Sequence, residues 1–314
     1  MTVEELAHRW LSSNPTKKPD TYATDEYHLR SHILPSIGSF RIGDVSPVDL
    51  QNLVNLWAGR LAPRTVRRAY GVVRAVFAYA VAADMRARTP CRSVKLPPVQ
   101  PVSRRLPDED GLDRLADAMP EEYRPMVYIA TILGLRFSEV AGIRVGRLDL
   151  LGKSLSVKET VTRDKRGRPV FGPPKSPAAR RTVPLPTALV EMLAEQLRRR
   201  GVTGADADEL VFVSPEGGPL RYANWRTRVW VPARRQAGLD GLGFHDLRRA
   251  SATTLVLEGV DLKTAQSRLG HSDPRLTIGL YAQVVDQANR AASDLLGQHF
   301  LPQSRMDRAR GAHD

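Results

Sequence analysis

The sequence predicts a mainly α protein with a small antiparallel β-sheet, an α+β chain of two domains. Three observations carry this. Apolar residues recur three and four apart along most of the chain, they alternate only between residues 154 and 185, and one dense run of prolines interrupts the helical pattern. The 314 residues suffice for two domains of roughly 100–200 residues each.

The first half reads as helices. Val3, Leu6, Ala7 and Trp10 share one helical face up to Leu11. Asn14 to Asp20 is a polar loop, and Thr24 to Leu34 a second helix closed by Pro35 and Gly38. Ser46-Pro47 is a start signal, with serine as N-cap and proline in the first turn. The helix it opens carries Leu50, Leu53, Val54 and Trp57 and ends at Gly59. The longest helix runs from Pro63 to about Asp84, with Val66, Tyr70, Val73, Val76, Phe77 and Ala80 as its apolar stripe. Arg64, Arg67, Arg68 and Arg74 lie mostly off that stripe, as either a solvated face or one that contacts phosphates.

Pro90, Pro97, Pro98 and Pro101 then forbid a continuous helix. The expected organisation is a helical domain over 1–96, a Pro-rich linker over 97–106, a second domain over 107–300 and a disordered tail over 301–314. The second domain opens with helices over Asp108–Met119 and Glu121–Leu133, stopped by Gly134. Leu155, Val157, Glu159 and Val161 alternate within a strand over Ser154–Thr162, followed by short strands over Arg168–Phe171 and Arg181–Leu185. After Pro186 the helical period returns with Leu189, Met192, Leu193 and Leu197, and the remainder is expected to be helical to about Phe300.

Charge narrows the partner. Lys and Arg number 47 against 34 Asp and Glu, a net charge of +13. Residues 1–100 hold 14 basic and 8 acidic residues, so the excess is shared by both halves and is no detachable tail. A polyanion is the indicated partner, nucleic acid before an anionic membrane, against the plain alternative of a basic soluble protein. No run of about 18 apolar residues could span a bilayer, and MTVEELAHRW is no secretory signal. Cys91 is the single cysteine. It can form no internal disulfide, is expected to be a small buried hydrophobe, and makes an intracellular, cytoplasmic setting the default.

The common cofactor motifs are missing. There is no GxxxxGK[ST], Gly238, Gly241 and Gly243 do not have GxGxxG spacing, and no HExxH occurs. What remains is a set of basic residues. In GFHDLRRASATTLVLEGV, His245 and Arg248 lie three apart on one helical face, and the apolar face runs through Leu247, Ala250, Thr254 and Leu255. Asp261 and Gly270 bracket the helix LKTAQSRL, and His271 follows directly. Tyr281 comes ten residues later, Arg136 stands just past Gly134, and Lys175 lies in the turn GPPKSPAARR. Singly, each has an ordinary reading. Arg136 beside Glu139 would be a helix ion pair of about 0.3–0.5 kcal/mol, and Lys175 a solvated turn residue. Together the order Arg, Lys, His-x-x-Arg, His, Tyr suits a phosphodiester: guanidiniums pair with non-bridging oxygens and a phenol can attack phosphorus.

With these residues in place, the sequence resembles the tyrosine recombinase family of phage-integrase type. The matching stretches are TILGLRFSEVAGIRVGRLDL, PPKSPAARRTVPLP, FHDLRRASATTLVLEGVDLKTAQSRLGH and TIGLYAQV, between about residues 108 and 290. YHLRSHILPSIGSFRIGDVSPVDLQ and LAPRTVRRAYGVVRAVFAYAV resemble the family's core-binding domain through helical pattern.

The resemblance implies a SAM-like helical core-site-binding domain followed by a tyrosine-recombinase catalytic domain. The implied function is site-specific recombination, integrating and excising DNA through a 3′-phosphotyrosyl intermediate without metal, ATP or other cofactor. Tyr281 would be the nucleophile, Arg136 and Arg248 the phosphate clamp, and Lys175 the general acid. His245 would accept the proton of Tyr281 or bind the phosphate, and His271 would hold phosphate and Tyr281. The implied partners are duplex DNA core sites, bound by a dimer per site and a homotetramer per synapse, passing through a Holliday junction. An excisionase and a host DNA-bending protein are accessory partners compatible with this reading. Arg249 and Gln283 stand where many members have histidines, and neither belongs to the catalytic set. Because TVEELAHRWL starts almost at residue 1, the arm-site-binding domain of many phage integrases is expected to be absent. Val285, Ala288, Ala292, Leu295 and Phe300 keep a helical spacing that in the family often packs on a neighbouring protomer, or else covers their own domain. The rival readings are a type IB topoisomerase, with nearly the same catalytic set, and a catalytically inactive DNA-binding relative.

Overall fold

The computed structural model describes residues 1–100, 106–164, 167–174 and 176–270, together with 293, 296, 299 and 300. The chain forms two compact units, Met1–Ser103 with Arg163–Arg168, and Arg104–Thr162 with Pro169–Asp314.

The first unit is built on helices. α1 (Val3–Ser12) opens on a capping box in which Thr2 and Glu5 accept from each other's backbone N–H. α2 (Pro19–His28) begins earlier than its apolar pattern suggests, because Pro19 suits a first helical turn. It runs through a π-helical turn at Leu29–Ile33 into α3 (Leu34–Ile37). Pro35 therefore does not close the helix, as expected from sequence. The wider turn shifts the bonding so that the Leu34 N–H meets the Leu29 carbonyl, and proline occupies the first turn of α3, where no N–H is required. α4 (Pro47–Ala58) is capped by Ser46 and buries Leu50, Leu53, Val54 and Trp57, whose indole donates to the His32 carbonyl at 3.2 Å. α5 (Pro63–Ala82) buries the whole stripe from Val66 to Ala80. Cys91 is only half-buried, packed at the edge of this core.

The second unit is mixed. α6 (Glu109–Asp117), α7 (Arg124–Ile132) and α8 (Phe137–Val140) precede five short strands. These are β1 (Leu148–Asp149), β2 (Ser154–Val157), β3 (Thr160–Arg163), β4 (Pro169–Gly172) and β5 (Arg181–Pro184). β2 pairs antiparallel with β1 and β5, while β3 and β4 form a separate sheet. The single strand expected over 154–162 is thus two strands. The break falls at Lys158-Glu159, where Arg144 and Arg147 approach the Glu159 carboxylate at 3.1 and 3.5 Å. α9 (Thr187–Arg200) stops at Gly201 in the left-handed region, with φ 65°.

The expectation of helix from there onward fails until residue 222. GVTGADADEL and SPEGGP hold the glycines, aspartates and prolines that favour turns. The chain between them instead pairs the Val211 N–H with the Ile143 carbonyl at 2.9 Å. α10 (Tyr222–Trp225), a π-helical turn at Arg226–Trp230, α11 (Val231–Gln236), α12 (Phe244–Leu257) and α13 (Leu262–Leu269) complete the described fold. Its core packs α7 against α12, with Phe137, Trp225, Trp230 and Phe244 in ring contact at centroid distances of 4.8–5.8 Å. The helix expected beyond residue 270 and the tail over 301–314 lie outside the described residues, as does all of the apolar segment 285–300 except 293, 296, 299 and 300. Among the described residues no helix is long and apolar enough to cross a membrane.

His28 and His32 are buried on successive turns, with rings 5.6 Å apart and His28 Nδ1 and His32 Nε2 unpartnered. Burial, then His32 and Arg68, lower the His28 pKa against a smaller opposing pull from Asp25. The unfolded chain therefore binds a proton here more readily than the folded one, and stability falls as pH drops below about 6.5. Thermal unfolding of the full chain is expected to show a midpoint lower at pH 5.5 than at pH 7.5, with a smaller difference in His28→Leu. An unchanged difference in that variant would assign the acid sensitivity elsewhere.

Candidate active site

Three loops converge in the second unit. α7 ends at Gly134, whose φ of 64° is left-handed. A Cβ at Gly134 would stand 2.5 Å from Leu269 Cδ2, so packing against the end of α13 also requires glycine. The reversal makes Arg136 the extended residue that opens α8, and Glu139, three residues on, accepts the Arg136 N–H at 2.9 Å. α12 opens at Gly243, whose N–H is taken by Asp246 at 2.8 Å. That start aims His245 and Arg248 from one face of its first turns. α13 ends at Gly270, also left-handed, with φ 64°.

Glu139 is the hub. It is 2% exposed. Oε1 accepts Arg136 Nη1 at 2.9 Å and Arg181 Nη1 at 3.4 Å, and Oε2 accepts Arg181 Nη2 at 3.2 Å. Arg248 Nη1 stands 4.0 Å from Oε2. Arg248 is itself 2% exposed, and donates to the carbonyls of Gly134 and Leu269, each at 2.5 Å. Arg136 keeps a third of its side chain exposed, with Nε and Nη2 unpartnered among the described residues. His245 is exposed beside them.

The electrostatics follow. Burial pushes the Glu139 carboxyl up, but Arg181 and then Arg136 outweigh it and hold the pKa below its ordinary value. Arg248 falls to about 9 through burial and the nearby charge of Arg136, and stays protonated at neutral pH. Desolvation, followed by Arg248 and Arg136, lowers the His245 imidazole. The ring is neutral at pH 7 and able to accept a proton. Among the described residues, three guanidiniums meet on one carboxylate with a neutral imidazole at their edge, an arrangement able to hold an anion.

Of the six residues expected to form the site, Arg136, His245 and Arg248 come together. Lys175, His271 and Tyr281 lie outside the described residues. Arg64, Arg67, Arg68 and Arg74 are all exposed along α5. Among the described residues none of them meets a carboxylate, although Arg67 donates to the Pro97 carbonyl at 2.8 Å. Sequence reasoning missed Glu139, read as a surface ion-pair partner, and Arg181, read as an ordinary strand residue. Strand parity held a signal for the latter, because Arg181 shares a face with buried Val183.

Residues 106–288 match the phage integrase family and residues 3–96 match the phage integrase central domain. The chain belongs to the phage integrase family. It is a tyrosine recombinase, a site-specific enzyme that breaks and rejoins DNA. It is 30% identical over 287 residues to the integrase of Mycobacterium phage D29, covering 88% of this chain and 74% of that one. It is 24% identical to a tyrosine recombinase XerC-like protein of Caldanaerobacter subterraneus subsp. tengcongensis, covering 96% of this chain and 84% of that one. Among solved structures, its fold resembles the Tn1549 transposon integrase in complex with a circular intermediate DNA. That match has a TM-score of 0.80 and 18% identity, over 94% of this chain and 99% of that one. The lambda integrase dimer bound to a COC′ core site gives a TM-score of 0.69 and 18% identity, over 90% of this recombinase and 95% of that chain.

Glu139→Gln keeps the shape of the hub and removes its charge. It leaves buried guanidiniums without a counter-ion and is expected to cost about 3–5 kcal/mol in urea unfolding. A loss under about 1 kcal/mol would mean that the carboxylate does not organise the cluster.

Proposed function

We propose that the recombinase binds duplex DNA core sites and cuts them through a covalent 3′-phosphotyrosyl link to Tyr281. The observation that carries the reading is the meeting of Arg136 and Arg248 at Glu139 with neutral His245 beside them. The phenol oxygen of Tyr281 attacks phosphorus and gives its proton to His245. The 5′-oxygen leaves with a proton from Lys175, and His271 bonds the phosphate. A 5′-hydroxyl from a second duplex reverses the step and rejoins the strands. A phenol of pKa about 10 needs such a base and such a cationic field at neutral pH.

Arg136 has Nε and Nη2 for the phosphate, and Arg248 adds the N–H groups beyond its two carbonyl bonds. Both stabilise the charge that grows on the non-bridging oxygens in the pentacoordinate transition state. The first unit is the core-site-binding unit in this reading, with the α5 arginines on backbone phosphates. Two protomers occupy a site and four form the synapse. The lambda integrase, solved as a dimer on a core site, supports the pairing by analogy.

The test is adduct formation on a nicked duplex carrying a site recovered by binding selection from random DNA. Wild type is expected to become covalently linked to DNA, while Tyr281→Phe binds equally and forms no adduct. Arg136→Ala is expected to slow the step about 10²–10³-fold. The wild-type rate should fall on acidification, at a pH below the ordinary imidazole range, as His245 takes up a proton, and this limb should vanish in His245→Ala. No adduct from wild type, or equal adduct from Tyr281→Phe, would overturn the reading.

A further inference from the structure

Arg181 stands outside the set of groups assigned to the phosphate, yet every part of its guanidinium is engaged. Nε donates to the Arg268 carbonyl at 2.7 Å, Nη1 to the Ala179 carbonyl at 3.0 Å and to Glu139 Oε1 at 3.4 Å, and Nη2 to Glu139 Oε2 at 3.2 Å. Its side chain is 6% exposed. With Nε, Nη1 and Nη2 all bonded to protein, Arg181 has little to offer a substrate.

Its partners are informative. Glu139 holds Arg136 by both backbone and side chain. Arg268 precedes Leu269, whose carbonyl binds Arg248. Adjacent carbonyls at the end of α13 are therefore gripped by Arg181 and by Arg248. A closed circuit results, from Glu139 through Arg181 to Arg268, then from Leu269 through Arg248 back to the carboxylate. Gly270 supplies an independent sign of how tight the circuit is. A Cβ there would stand 2.9 Å from Arg181 Nη1 and 3.1 Å from Ala179 Cα, over and above the left-handed φ.

We infer that Arg181 is a positioning residue of the cleavage step, whose planar fork holds α8, β5 and the end of α13 in the register that brings Arg136 and Arg248 onto one phosphate. The inference rests on the proposed roles of those two arginines. The fork matters more than the charge. A lysine ammonium is one point, and cannot span both oxygens of Glu139 and the Arg268 carbonyl together. Losing the fork lets Arg136 and Arg248 drift from the phosphate while the DNA-binding surface stays as it is. Small displacements of positioned groups cost rate rather than affinity.

The experiment compares full-length wild type, Arg181→Lys and Arg181→Ala on the nicked duplex described above. It measures DNA affinity, the single-turnover rate of adduct formation per folded molecule, and that rate with added guanidinium against an equal concentration of sodium chloride. The expected result is affinity within about twofold of wild type and a rate lowered at least about tenfold in both variants. Guanidinium should recover part of the rate in Arg181→Ala and none in wild type. Rates per folded molecule within about threefold of wild type would reduce Arg181 to a purely structural residue. A drop in affinity equal to the drop in rate would place its effect in binding. Either result overturns the inference and leaves the proposed function standing. If wild type itself forms no adduct, the proposed function falls and this inference with it.

Discussion

A single buried carboxylate organises the catalytic unit. Taking an ionised glutamate out of water costs several kcal/mol, and the cost is met only where charge-assisted hydrogen bonds satisfy both oxygens. Glu139 meets that condition with guanidiniums from Arg136 and Arg181, and with Arg248 close by. Much of the local fold serves this requirement. Gly134 reverses the chain so that Arg136 can open α8, β5 turns Arg181 inward, and Gly270 brings the end of α13 within reach. Among the described residues, three guanidiniums meet on this one carboxylate. Burial, then the charges of Arg136 and Arg181 against the opposing pull of Glu139, lower Arg248 to about 9.

That imbalance joins structure to chemistry. Under the proposed function, a phosphodiester entering the site supplies negative charge, and a pentacoordinate phosphorane supplies more. On that proposal the cluster favours the transition state over the ground state. Desolvation, and after it Arg248 and Arg136, keep His245 neutral, which suits a proton acceptor. The net charge of +13 is thus of two kinds. Exposed arginines such as Arg64, Arg68 and Arg74 on α5 carry charge into solvent, where a polyanion can meet it. Arg136, Arg181 and Arg248 are held in fixed geometry by hydrogen bonds, and their charge is focused on one point.

Helical periodicity made most of the fold legible, because the stripes from Leu50 to Trp57 and from Val66 to Ala80 are buried as their spacing requires. The departures have local causes. A π-helical turn carries the chain past Pro35, ion pairs at Glu159 accompany the division of one apparent strand into two, and turn residues hold Gly201–Arg221 out of helix. Arg136, His245 and Arg248 were visible as residue types in an order that suits a phosphate. Glu139 and Arg181 were not, because an Arg-x-x-Glu pair reads equally well as a solvated helix contact or as a buried hub. The burial that separates these cases comes from α12, α13 and β5, which lie 40 to 130 residues away in the chain.

In the proposed mechanism Arg136 and Arg248 act as one unit on one phosphate through a shared carboxylate. A double-mutant cycle on the single-turnover rate of adduct formation, using Arg136→Lys, Arg248→Lys and the double variant, tests it most directly. Two groups that share a phosphate and a counter-ion should be coupled, with the double variant slowed less than the product of the single effects and a coupling energy of at least about 1 kcal/mol. Effects that add to within about 0.5 kcal/mol would mean that the two arginines act independently, and would contradict the account.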